Sequence, residues 1–195
     1  MNAAVTPWLL ACLALASCAA SDAPFGGRAF GVELPDGWRS DRRWPHELQA
    51  RHPEHGRLLA FSERIPEERL DAPPEALLRA YLAQLDDHRL LFERVPPPRR
   101  LTAEIRDLLP NARIDDAPAA IARVDVVREG GRTTPAIFAL ARHGVVVDVW
   151  GSGERLRGVP FAVTLAYLAE PGRLAEGLPD FEAFLASVRF VGRRR

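Results

Sequence analysis

From Ala119 onward, apolar residues return at every second position. Ala122, Val124 and Val126 fall on one side of an extended chain, and Arg123 and Asp125 on the other. A spacing of two is that of a half-buried strand. The stretch "EGGR" at 129–132 places two adjacent glycines where a tight hairpin needs positive φ. Ala136 to Arg142 reads as the return strand, Gly144 as the next turn, and Val145 to Trp150 as a third strand. After the loop "GSGERLRGVP", Phe161, Val163, Leu165 and Tyr167 alternate again. The pattern predicts four antiparallel strands over residues 119–168. Their apolar face must be buried by the rest of the chain.

The remaining segments supply that cover. Phe30, Val32 and Leu34 alternate and are stopped by "PDG", directly followed by Trp38. Residues 45–56 are polar, with turn formers at both ends, and predict a short edge strand. Arg57–Ser62 reads as a buried strand. Asp71 followed by Pro73, Pro74 and Glu75 is a helix-start signal, and Leu77, Leu78, Tyr81, Leu82, Leu85, His88, Leu91 and Phe92 keep helical spacing. A helix is expected over 73–92, ended by "PPP" at 96–98. Leu101, Ile105, Leu108 and Leu109 suggest a second short helix or turn. Asp180–Leu185 starts a closing helix that runs into "SVRF". Strands and helices are segregated, which defines an α+β fold: an antiparallel sheet covered by helices.

The N-terminus carries a different signal. Trp8 to Ala16 is an apolar run far short of the roughly 20 residues that span a bilayer. It reads as the core of a secretory signal. Leu15-Ala16-Ser17-Cys18 resembles the lipobox of bacterial lipoproteins. That resemblance implies cleavage after Ser17 and lipid attachment to the thiol and new amine of Cys18. Two or three acyl chains anchor a protein stably where one does not. The expected organisation is a signal peptide over 1–17, a tether over 18–28, one α+β domain over 29–192 and a frayed tail over 193–195. The expected location is the bacterial cell envelope, facing the periplasm or the cell surface. Ala19 after the cysteine favours the outer membrane.

"FGVELPDGW" near the start of the domain and "FEAFLASVRF" at its end resemble the opening and closing signatures of Mog1/PsbP-like domains. The resemblance implies an α/β/α sandwich around an antiparallel sheet. It also implies a largely non-enzymatic role as an accessory or binding protein. No functional residue carries over, because no functional motif is shared.

Composition narrows the chemistry. The net charge is zero, so general attraction to nucleic acid is not expected. The only cysteines are Cys12 and Cys18, which leaves the body of the chain without a thiol nucleophile or a thiolate metal site. The densest ligand set is His46, His52 and His55 with Glu47 and Glu54. Its spacing matches no helix face, and "HELQA" lacks the second histidine of an HExxH motif. No metal and no cofactor are expected. Asp115-Asp116 could cap a backbone or bind a cation. Arg123 and Asp125 suit cross-strand ion pairs. Trp38, Trp44 and Trp150, with Arg123 and Asp125, form the candidate interaction surface.

The function expected is that of a non-enzymatic binding or accessory module, tied to the membrane at Cys18 and acting on an envelope protein. A lipoprotein that holds a small molecule or lipid between the sheet and the long helix is the alternative. A metal-dependent hydrolase built on His46, His52 or His55 is the third reading.

Overall fold

A computed structural model of the chain describes residues 25–26, 29–44, 46–86, 90, 101–148 and 155–191. The strands are β1 (Phe25–Gly26), β2 (Phe30–Val32), β3 (Arg39–Trp44), β4 (Glu47–His52), β5 (Gly56–Arg64), β6 (Thr102–Ile114), β7 (Ala117–Val127), β8 (Thr133–Asp148), β9 (Arg155–Ala169) and β10 (Arg189–Phe190). Helix α1 spans Pro74–Ala83, and α2 spans Leu174–Ser187. Seven strands form one antiparallel sheet in the order β3-β4-β5-β9-β8-β7-β6. The chain leaves the sheet after β5 and passes through α1. It re-enters at the far edge as β6 and returns by a meander to pair β9 with β5.

Alternation along β9 shows the layering. Ala162, Ala166 and Leu168 join the core under α1, with Leu77, Leu78, Tyr81 and Leu82 of the helix. Val163, Leu165, Tyr167 and Ala169 join the opposite core, with Phe181 and Phe184 of α2. Both faces of the sheet are therefore buried, and the sheet is the middle layer of an α/β/α sandwich. A second, three-stranded sheet, β1-β2-β10, joins the α2 side. In it the opening and closing segments pair, Phe190 opposite Phe30 and Arg189 opposite Gly31. The chain termini of the domain thus lock each other.

Several expected boundaries move. The helix expected over 73–92 begins as α1, which ends at Ala83; residues 87–89 and 91–92 of that span, and the "PPP" at 96–98, lie outside the described residues. The carbonyl of Leu85 accepts from the N–H of Leu101 instead of continuing the helical ladder. Its N-cap is Pro73, without a side-chain bond, so Asp71 does not cap it. The stretch expected to hold a second short helix or turn, around Leu101–Leu109, is the strand β6. Register shifts between Ile105 and Asp107 and between Leu109 and Ala112 break its alternation. Each bulge inserts a residue and flips the following side chains to the other face.

Gly144 does not turn the chain. It lies inside β8, where a Cβ would come within 3.2 Å of the Cα of Gly158, so the glycine permits a close approach of two strands. Residues 119–168 therefore hold three strands and not the four expected, because the strands expected on either side of Gly144 are one, β8; the meander gains its fourth strand from β6, which starts at Thr102. The strand in 45–56 is β4, and it is not at the edge; β3 and β6 are. The closing helix begins at Leu174 and runs through Pro179. Among the described residues no helix is long and apolar enough to cross a membrane.

Candidate functional site

Three turns meet at one end of the sheet. The first is Pro35-Asp36-Gly37-Trp38. The N–H of Trp38 reaches the carbonyl of Pro35 at 3.2 Å, and Gly37 has φ +83°. That is the position at which a tight turn demands glycine. A Cβ there would also lie 3.0 Å from Nε2 of His52. The second turn joins β4 to β5. Nδ1 of His52 accepts the N–H groups of Glu54 and His55, both at 3.2 Å. An accepting Nδ1 carries no proton, so the proton of the neutral ring sits on Nε2. The turn closes at Gly56, whose φ is +119°. The third, Pro171–Arg173, leads into α2 and delivers Asp180.

The side chains of these segments converge. His55 stacks on His52 with ring centroids 4.1 Å apart. Its Nδ1 donates to Oδ2 of Asp180 at 2.7 Å, and the same oxygen accepts Nε1–H of Trp38 at 2.9 Å. His52 lies beside Trp38, with ring centroids 5.5 Å apart. Tyr167 donates its hydroxyl to the carbonyl of His55 at 2.8 Å. Burial, reinforced by the nearby carboxylates of Asp180, Glu176 and Glu170, pushes the Tyr167 hydroxyl up to about 12.

Asp180 orients His55 as a carboxylate orients a general base or a metal-bound histidine. A metal needs further ligands, and among the described residues no group of three or more His, Cys, Asp or Glu could hold one. His46 sits at the other end of β4, about 20 Å along the strand from His52. Of His46, His52 and His55, only His52 and His55 meet. The bonds of Asp180 to His55 and Trp38, and of Tyr167 to His55, each join one element to another. Its evident work is to fasten α2 to the β4–β5 turn and to the turn before β3.

The other candidates separate. Trp38 is 4% exposed and belongs to the core, so it leaves the candidate interaction surface. Trp44 stays on it, 52% exposed at the end of edge strand β3. Asp125 forms a cross-strand pair with Arg106 at 2.7 Å, which raises the pKa of that guanidinium. Arg123 is exposed and lies opposite Asp107 in the β6–β7 register. Asp115 caps a backbone: its Oδ2 accepts the N–H of Phe190 at 2.7 Å. Ser17, Cys18 and Trp150 lie outside the described residues. Sequence reasoning missed Asp180 and Tyr167 as members of the cluster. Nothing local to either residue signals a partner more than a hundred positions away.

A groove of about 160 Å³ lies between α1 and the sheet, lined by residues that include Ile65, Leu77, Tyr81, Leu140 and Ala162. It is smaller than the roughly 300–1,000 Å³ typical of ligand pockets.

A sandwich of one antiparallel sheet between two helices, with the second and last strands paired, defines the structural class: α+β, with a PsbP-like fold. Among solved structures, the chain is similar to cyanobacterial PsbP (CyanoP) from Synechocystis sp. PCC 6803. The TM-score is 0.53 at 11% identity, covering 88% of this chain and 93% of that one. A chain from Bacteroides thetaiotaomicron matches with a TM-score of 0.43 at 11% identity, covering 87% of this chain and 49% of that one. No protein-family model matches the sequence, and no curated protein matches it significantly.

Proposed function

We propose that this chain is a lipid-anchored bacterial envelope protein whose single α+β domain works as a non-enzymatic binding or accessory module. Cys18 is the lipidated residue in this reading, and Ser17 precedes the cleavage site. The domain faces the periplasm or the cell surface, with the outer membrane favoured. The observation that carries the reading is Trp44. A tryptophan 52% exposed at the end of an edge strand is a costly surface residue for a monomer and a common anchor at protein interfaces. The His55–Asp180 pair supports it too, because its carboxylate oxygen is already shared between two donors of the fold.

The test is crosslinking in cells with the tagged full-length protein, followed by mass spectrometry of the membrane fraction. A reproducible protein partner that is lost in Trp44→Ala and kept in Arg79→Ala supports the reading. The same partner recovered equally from both variants overturns the role of Trp44. Cys18→Ala is expected to abolish processing and release the protein from the membrane; a variant still processed and still membrane-bound removes the anchor.

A further inference from the structure

The sheet end that carries the His55–Asp180 cluster on its α2 face carries a second feature on its α1 face. Leu168 lies between Arg57 of β5 and Ala136 of β8 in the strand register. Two residues before Ala136, on the same face, is Thr134. The β7–β8 hairpin brings up Arg128 and Arg132, which face each other across the turn through a backbone hydrogen bond of 2.9 Å. Arg57, Thr134, Leu168 and the two hairpin arginines, with Thr133 and the segment 169–171, line a groove of about 520 Å³. That volume falls in the range of small-molecule sites. Three guanidinium groups face it against one carboxylate, that of Glu170. The whole chain is neutral, so this is a local concentration of positive charge.

We propose that this groove binds a phosphate-class dianion, either inorganic phosphate or the phosphate of a small monoester. The guanidinium fork matches the oxygens of phosphate and donates in pairs. Arg57 and Arg128 also have partners within the protein, and a phosphate would join those partners on guanidinium groups that each carry five donors. The hydroxyl of Thr134, on the same face as Leu168, adds a neutral donor along one wall. Leu168, which is 5% exposed and belongs to the α1-side core, gives an apolar floor that suits the carbon part of a monoester. The "EGGR" turn thus does more than reverse the chain. Gly130 and Gly131, both at positive φ, let the turn close tightly enough to hold Arg128 and Arg132 side by side.

The proposal rests on the binding-module reading only in treating the groove as a place where a ligand is held. The test is equilibrium dialysis of the full chain, purified in non-ionic detergent, against radiolabelled inorganic phosphate and against glycerol phosphate. Saturable binding at one site is expected, weakened about tenfold in Arg57→Gln and in Arg132→Gln. Arg79→Gln, on the exposed side of α1, is expected to bind as the parent does. Arg132 is exposed, so its variant keeps the test open should Arg57→Gln fold poorly. Unsaturable binding, or binding unchanged in both groove variants, overturns the site. Parallel dialysis against glycerophosphocholine, a phosphodiester, that shows binding where neither dianion is held overturns the charge assignment. No phosphate binding by the parent chain, with membrane attachment and the crosslinked partner intact, would sink the site and leave the module reading standing. Hydrolysis of the bound glycerol phosphate would do the reverse.

Discussion

His55 and Asp180, 125 positions apart, are joined by a hydrogen bond of 2.7 Å. The carboxylate oxygen can only accept, so the Nδ1 of His55 carries the proton. The same oxygen holds Nε1–H of Trp38 at 2.9 Å. Asp180→Ala strips the acceptor from both donors, and it is expected to cost about 1–3 kcal/mol in urea unfolding. His55→Ala removes only one of the two bonds and is expected to cost less. Equal losses in the two variants would show that the Trp38 bond contributes nothing.

Tyr167 gives the pH dependence. Its hydroxyl is held up to about 12 by burial and neighbouring carboxylates, while an unfolded tyrosine titrates near ~10. As pH rises, the unfolded state loses its proton first, so the native state binds more protons in that window. The stability this group contributes is complete below ~10 and is lost as pH climbs through about 12. The chain has two tyrosines, Tyr81 and Tyr167, so Tyr81→Phe leaves Tyr167 as the single reporter of phenolate absorbance. Its midpoint is expected near 12. Tyr167→Phe is expected to flatten the fall in stability over the same interval, and a midpoint near that of free tyrosine would refute the buried environment.

Two glycines are needed for space. A Cβ on Gly56 would lie 2.2 Å from the carbonyl oxygen of Leu168, at a φ of +119°. A Cβ on Gly177 would lie 1.9 Å from the Tyr167 hydroxyl and 2.5 Å from its Cζ. Each Gly→Ala change is expected to cost ~1–3 kcal/mol from overpacking, with a further ~1–3 kcal/mol of backbone strain at Gly56. Adding Tyr167→Phe to Gly177→Ala is expected to restore only part of the thermal midpoint, because the ring carbon still collides. Full restoration would mean that the hydroxyl alone sets the spacing of α2 from the sheet.

How much of this was legible depends on where the determining contact lies. Alternation over 117–127 and 161–169, the "PDG" turn before Trp38 and the closing phenylalanines of α2 are local signals, and they gave the α+β sandwich. β6 was hidden because the bulge between Ile105 and Asp107 places Ile105 and Leu108 three residues apart on one face, which imitates a helix. Leu85 fits the stripe of α1, yet its carbonyl pairs with Leu101 across the connection to β6. Gly144 resembles a turn former and acts instead as a contact point between β8 and β9. In the cluster, His52 and His55 could be seen as neighbours. Asp180 could not, since only the docking of α2 on β9 brings it to them.

The β6–β7 hairpin turn sets two opposing demands on adjacent aspartates. Asp115 and Asp116 are the only described non-glycine residues at positive φ, 45° and 59°. Left-handed backbone favours glycine, so Gly at either position relieves about 1 kcal/mol of strain. Asp116 is exposed, and surface contacts of a carboxylate contribute little. Asp116→Gly is therefore expected to leave stability unchanged or to raise it by about 0.5 kcal/mol. Asp115 differs, because its Oδ2 accepts the N–H of Phe190 at 2.7 Å and pins β10 to the hairpin. Asp115→Gly leaves that buried donor without its acceptor and is expected to cost about 1–2 kcal/mol net of the relieved strain. Amide exchange at Phe190 should quicken in Asp115→Gly alone. Equal stability changes in the two variants would mean that the turn, and not the bond to β10, is what Asp115 provides.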